Sequence, residues 1–331
     1  MTQKFDSIRV ATAGEALIDM IGGADGRFLP CIGGAVYNLT RALSRQGVGV
    51  LYLNPLSKDR FGRQLCAGLV QDGVNLARPE PVQEVTSLAV VSVNAQGHPD
   101  YAFYREGVAD RATSAALLNQ ACTEAAPGVV CTGALALAPE DGATYLPWLA
   151  AQRDVGRRVV VDANLRPSVM PDLQRYRGHV LATLQYADVI KASDEDLEHL
   201  ALPGATPLER ARHLLTNTHA HFLALTLGGE GAMLLTRAGQ TFQARESQSL
   251  TIVDTVGAGD CFLAGMVTAL LEAGLSPTWG KSPVISSEAF ALLQNAIASA
   301  SICVQRRGCV PPTRDEVRQH VATGSVVCQV L

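Results

Sequence analysis

Short, unbroken apolar runs alternate along the chain with amphipathic segments. Residues 8–13, 129–132, 158–163, 189–191 and 222–227 read as strands; 34–46, 59–71, 140–153, 172–186, 194–200, 207–218, 257–272 and 286–304 read as helices. In Arg158-Val159-Val160-Val161-Asp162 no polar position interrupts the apolar core of the run. Both faces of such a strand must be covered. The pattern therefore predicts an α/β fold, a doubly wound and mostly parallel sheet sandwiched by helices.

Two stretches break this rhythm, about 15–30 and 87–105. In the second, 89–93 and 100–104 are joined by Asn94-Ala95-Gln96-Gly97-His98-Pro99 and read as a hairpin. They predict a small β layer attached to the main sheet, either an edge extension or a lid over a site. No repeat, low-complexity tract or linker divides the 331 residues, so a single domain spanning 1–331 is expected.

Charge narrows the function classes. The chain carries 27 Lys+Arg against 31 Asp+Glu, a net charge of −4, without a basic cluster. That offers no electrostatic footprint for nucleic acid or an anionic membrane. The longest apolar run, 261–271, is shorter than the ~17–25 residues of a spanning helix. The N-terminus lacks the basic and apolar regions of an export signal, and a cytoplasmic location is expected. The eight cysteines, at 31, 66, 122, 131, 261, 303, 309 and 328, form no Cys-x-x-Cys pair. They read as mostly buried thiols, Cys261 as a small core filler.

The segment most informative about chemistry is Asp254-Thr255-Val256-Gly257-Ala258-Gly259-Asp260-Cys261-Phe262-Leu263-Ala264-Gly265, a glycine-rich turn running straight into a helix. Small residues let backbone N–H groups converge on one cavity, and a helix N-terminus adds partial positive charge, so the turn can hold a phosphate. Asp260 would sit beside that hole as a base for a hydroxyl attacking the phosphoryl group. The plainer alternative is a tight strand-to-helix turn with Asp260 aiding the cap. Near the N-terminus stands Gly33-Gly34-Ala35-Val36-Tyr37-Asn38-Leu39-Thr40-Arg41-Ala42-Leu43, then Gly47 and Asp59-Arg60-Phe61-Gly62. Paired glycines let backbone approach a polyhydroxyl ligand, and Asn38 offers both a donor and an acceptor.

Together, and in this order, the two segments resemble the signatures of the ribokinase-like (PfkB) carbohydrate kinases, over nearly the whole chain. The resemblance implies a ribokinase-like fold with a β-sheet lid that often serves as a dimer clasp, hence a homodimer. It implies an ATP- and Mg2+-dependent sugar kinase with Asp260 as base and the backbone of Gly257, Ala258 and Gly259 around the transferring phosphoryl. A monovalent cation such as K+, used by many relatives, would lie near 251–255 and 307–309. On the sugar side the resemblance points to Asp19, Gly33, Gly34, Asn38, Tyr104, Arg105, Arg166 and Asp260. On the ATP side it points to Lys191, Thr226, Gly228, Gly231, Gly257, Gly259 and Asn295.

The family's Asn-x-x-Glu element, linked to magnesium, stands here as Ser193-Asp194-Glu195-Asp196. Asp196 would then meet the metal through water, and Ser193 equally suits a helix N-cap. Tyr37 replaces a small residue before Asn38 and would reshape the sugar pocket. Gly14-Glu15-Ala16-Leu17-Ile18-Asp19 and the 103–111 stretch resemble bacterial fructokinases. Asp162-Ala163-Asn164-Leu165-Arg166-Pro167 is shared by fructokinases and 2-keto-3-deoxygluconate kinases. Arg105 and Arg166 suit either sugar hydroxyls or a carboxylate. D-Fructose, giving fructose 6-phosphate, is the favoured expectation and the keto-acid sugar the alternative. Gly280-Lys281-Ser282 is set aside as a P-loop because Leu275 stands where the first glycine belongs. No Gly-x-Gly-x-x-Gly follows the first strand, which argues against a dinucleotide-dependent enzyme.

Overall fold

Seven strands of the main sheet pair in parallel, in the spatial order Phe222–Thr226, Val189–Ser193, Arg158–Asp162, Val129–Gly133, Val10–Thr12, Val50–Tyr52 and Asn75–Leu76. Ala232–Thr236, Thr241–Glu246 and Val326–Val330 extend it antiparallel beyond Phe222–Thr226. The computed structural model describes residues 8–23, 25–93, 99–274 and 283–331. Connection 94–98 of the expected hairpin and Gly280-Lys281-Ser282 lie outside them.

Successive side chains of a strand point to opposite faces, and both faces are dry here. Val160 packs with the helices Ala35–Arg45, Ala258–Glu272 and Ser286–Cys303. Its neighbours Val159 and Val161 pack with Ala115–Ala125, Gly142–Asp154, Leu173–Leu184 and Pro207–Thr216. The run that was too short for a membrane is the central core helix, buried at every position from Asp260 to Leu271. Gly265 lets it approach Ser286–Cys303, since a Cβ there would lie 2.4 Å from the carbonyl oxygen of Asn295. Among the described residues no helix is long and apolar enough to cross a membrane.

The two irregular stretches form a second sheet in the order Phe28–Gly33, Leu17–Gly22, Ser87–Val93, Pro99–Tyr104. Its central pair is parallel and its outer pairs antiparallel. Asp59 joins it to the main body: the carboxylate caps Arg60–Gln71 at Gly62 N (2.7 Å) and accepts from Thr86 N (2.8 Å), just before the third lid strand. The predicted helix over 140–153 starts as a 3₁₀ turn, Pro139–Asp141, before Gly142–Asp154. Helices Ala115–Ala125 and Arg314–Ala322 and the antiparallel edge were not anticipated.

Candidate active site

The chemistry-bearing side chains collect at the carboxyl ends of the parallel strands, where open α/β sheets place their ligands. Val10–Thr12 and Val129–Gly133 are neighbours there, and the chain turns in opposite directions from them. Close by, a crevice is lined by Ala35, Val36, Thr132, Gly133, Asp162 and Asp260.

Asp162 ends one strand and Lys191 lies opposite it in the next. The Lys191 ammonium donates to both carboxylate oxygens at 2.9 Å, with both side chains buried. Burial disfavours the ammonium, but the carboxylates of Asp162, Asp196 and Asp260 outweigh it and hold Lys191 protonated. A Cβ on Gly259 would meet Lys191 Nζ at 3.1 Å, so the lysine faces the glycine turn.

That turn begins Ala258–Glu272 with Gly257 at φ 78°, a left-handed conformation that glycine adopts without strain. No side chain caps the helix. Of its first-turn N–H groups, that of Ala258 donates to Thr255 O at 3.2 Å, while those of Gly259 and Asp260 have no intrahelical partner and lie beside a fixed positive charge. The arrangement suits a phosphate. Asp254 braces the turn by accepting from Val256 N (3.0 Å) and Gly308 N (2.8 Å).

Asp260, one turn into the helix, accepts a hydrogen bond from Asn38 Nδ2 at 2.9 Å. Burial pushes its carboxyl up to about 7; Asp162 adds to the rise, while the Asn38 hydrogen bond and the charges of Lys191 and Arg166 oppose it. Asp19 lies over Gly33, where a Cβ would come within 2.2 Å of Oδ2. Burial moves it to about 6, against the pull of Arg166. Arg166 itself is half-buried and donates to the carbonyls of Leu165 (2.9 Å) and Asn164 (3.4 Å). It forms no ion pair among the described residues. Asn164 before it has φ 36°, a left-handed conformation that Asn tolerates better than most residues.

Other expected residues are engaged elsewhere. Both Asp196 oxygens accept backbone N–H groups, from Leu165 (2.7 Å) and Ser193 (2.8 Å), and Ser193 closes a capping box. Asn295 donates to Ala291 O and accepts from Arg314 at 2.6 Å. Arg105 pairs with Asp141 (3.3 Å) and donates to Leu135 O, while Tyr104 is 62% exposed on the outer lid strand. Tyr37 does not reshape the space beside Asn38: its ring is fully buried and its hydroxyl donates to Leu65 O at 3.1 Å. Thr226 ends its strand beside Ser193, and Gly228 (φ 56°) and Gly231 (φ 97°) form the turn after it. Gly34 is the N-cap of Ala35–Arg45, lying against Glu15.

Two site groups escaped the sequence reading. Asp162 was visible as an acid closing an apolar strand. Glu15 is buried, accepts from Ala35 N at 3.0 Å, and leaves Oε2 unpartnered. Its signal was an acid between glycine and apolar residues in Gly14-Glu15-Ala16-Leu17.

The model of the pfkB family carbohydrate kinases matches residues 8–316. The chain belongs to that family. A fructokinase of Rhizobium leguminosarum bv. trifolii is 32% identical over 79% of this chain and 79% of its own length. A fructokinase of Escherichia coli is 30% identical over 82% and 87%. Among solved structures, Xylella fastidiosa fructokinase with bound ATP aligns with TM-score 0.80 at 24% identity, over 96% of this chain and 99% of the other. Vibrio cholerae O395 fructokinase, a double mutant with fructose, ADP and potassium ion bound, aligns with TM-score 0.77 at 22% identity over 96% and 99%. These two likenesses concern the fold. As a pfkB carbohydrate kinase, the chain is a phosphotransferase acting on a sugar hydroxyl.

Proposed function

We propose that the chain transfers the γ-phosphoryl group of ATP to the 6-hydroxyl of D-fructose. The observation that carries the transfer is Asp260, buried, hydrogen-bonded to Asn38 and placed beside an uncapped helix start facing Lys191. Asp260 accepts the hydroxyl proton as the oxygen attacks phosphorus. The N–H groups around Gly257, Ala258 and Gly259, with Lys191, stabilise charge on the transferring oxygens. Asp162 keeps Lys191 aimed and charged. Asp19 and Asn38 meet sugar hydroxyls beside Gly33 and Gly34.

The donor set fits a nucleoside triphosphate, since the N–H groups of Gly259 and Asp260 at the helix start and the charged Lys191 beside them favour an anion. Mg2+, when bound, neutralises charge on the phosphate oxygens. Asp196 would reach it through water, because its two oxygens already accept backbone hydrogen bonds. Thr226, Gly228 and Gly231 belong to the nucleotide side. A K+ site at 251–255 and 307–309 is supported by Asp254 tying these segments together. Exposed Ile21, Phe28 and Leu29 on the lid support a homodimer through it, with 1–331 as one unit.

Fructose as the sugar rests on the fructokinase relatives. One observation favours a second reading: Arg166, without an ion-pair partner among the described residues, would suit the carboxylate of 2-keto-3-deoxygluconate. ADP production with fructose, ribose, 2-keto-3-deoxygluconate, tagatose, aminoimidazole riboside and adenosine separates the two. Fructose should give the highest kcat/KM, and a preference for the acid sugar overturns that reading.

A further inference from the structure

Behind the glycine turn, three thiols converge from separate parts of the chain. Cys261 lies in the first turn of Ala258–Glu272, Cys303 ends Ser286–Cys303, and Cys309 follows in the next loop. Their sulfurs all lie within 4.8 Å of one another. Cys261 and Cys303 are fully buried, Cys309 is partly open, and none is in a disulfide. The sequence spacing concealed this cluster because its members share no local motif.

We infer that Cys261, Cys303 and Cys309 form a zinc site, three thiolates holding one Zn2+ with a water completing the tetrahedron on the open Cys309 side. A Zn–S length of ~2.3 Å sets tetrahedral sulfurs roughly 3.8 Å apart, so the sulfurs need close by only about 1 Å at most. Soft thiolates select zinc over the hard magnesium and potassium ions of a kinase reaction. Binding releases three thiol protons to solvent and leaves a net charge of −1 on the Zn2+ with its three thiolates. The N-terminus of Ala258–Glu272, whose first turn carries Cys261, lies beside that charge. Because a Cβ on Gly257 would lie 2.2 Å from Cys309 Sγ, an ion here fixes the loop that backs the glycine turn.

The test is Zn2+ binding to the full chain, stripped of metal and kept reduced, followed by native mass spectrometry and by alkylation of the thiols. Co2+ as a second probe reports thiolate ligation through near-ultraviolet charge-transfer absorption. One Zn2+ per chain is expected, with Cys309, the partly open thiol, protected from alkylation only when zinc is bound. Affinity should fall by at least about 100-fold in Cys303→Ala, a variant that keeps its thermal midpoint. Cys261→Ala, read the same way, covers the case in which the first variant fails to fold. No binding by the wild-type chain below about 10 μM overturns the proposal. So does wild-type affinity in both variants, a preference for Cu+, or a disulfide forming among these cysteines in place of the complex.

Discussion

Asn38 Nδ2 and Asp260 Oδ2 meet at 2.9 Å although 222 positions separate them in the chain. Ala35–Arg45 packs directly on Ala258–Glu272, so each helix presents its first turn to the other. The amide restrains the carboxylate, and burial sets its proton affinity. One pair of residues thereby joins the segment read as sugar-binding to the segment read as phosphate-binding.

Asp260→Asn is nearly isosteric and removes the proton acceptor. General-base catalysis supplies ~10²–10⁴ in rate, so kcat should fall at least about 100-fold while the circular dichroism spectrum is unchanged. Near wild-type turnover in a folded variant would remove Asp260 from the mechanism.

The same variant should be more stable than wild type at alkaline pH. A carboxyl raised from 3.8 to about 7 stabilises the fold fully only below its unfolded value, and that contribution is lost as pH rises through 7. At ~1.36 kcal/mol per pH unit the loss is roughly 4 kcal/mol. The gain of Asp260→Asn should therefore be near zero at pH 4, grow up to pH 7 and level off above it. Denaturant midpoints at pH 4, 6 and 8 check this, and a pH-independent difference contradicts the burial of an ionisable Asp260. For the same reason, kcat/KM should rise with pH along an acidic limb centred near 7.

Lys191→Met leaves Asp162 charged and buried without its partner. Breaking such a pair costs ~3–5 kcal/mol. Adding Asp162→Asn should recover most of that stability and none of the lost turnover. Urea unfolding of the single and double variants gives the first comparison, steady-state kinetics the second. Recovery of activity in the double variant would show that Lys191 acts only as a structural partner.

Much of this site was legible because its chemistry is local. Residues 257–260 form a turn whose glycines and acid are contiguous, and Gly257 takes a left-handed conformation that glycine adopts without strain. The parallel core was equally plain in Val159, Val160 and Val161, since two dry faces leave an unbroken apolar run. Asp162 facing Lys191 was hidden, because the contact depends on which strand lies beside which. Asn295 and Arg105 also depend on distant partners, Arg314 and Asp141, that no spacing announces. The edge strands Ala232–Thr236 and Thr241–Glu246 escaped for a different reason: they follow the last parallel strand as a plain hairpin, outside the alternation of strand and helix.

Gly257→Ala tests the turn itself. Its Cβ would come 2.2 Å from Cys309 Sγ at a left-handed φ, where an L-residue costs ~1–2 kcal/mol. The N–H groups should lose their aim, lowering kcat at least about tenfold with little change in the KM for fructose. A parallel loss of sugar affinity and thermal stability would point to general unfolding.

Arg166→Gln separates the two sugars. Hydrogen bonds from a charged donor to neutral hydroxyls contribute up to ~3 kcal/mol, so fructose kcat/KM should fall by no more than about 160-fold. Loss of a carboxylate partner costs ~3–5 kcal/mol, so activity on an acid sugar should collapse further. Measuring both substrates on both proteins decides between them.

The Asn38–Asp260 contact also bears on synthesis of the chain. A carboxylate in water titrates near 3.9 and is a poor base; Asp260 acquires its proton affinity only on burial, once helices such as Ala35–Arg45 have packed against Ala258–Glu272. A ribosome-bound chain that has not yet emitted residue 260 holds no base at all, and one that has emitted it without docking the first helix holds a weak one. Phosphoryl transfer is thus silent for any product of the same message that stops short of residue 260 or has not yet buried it.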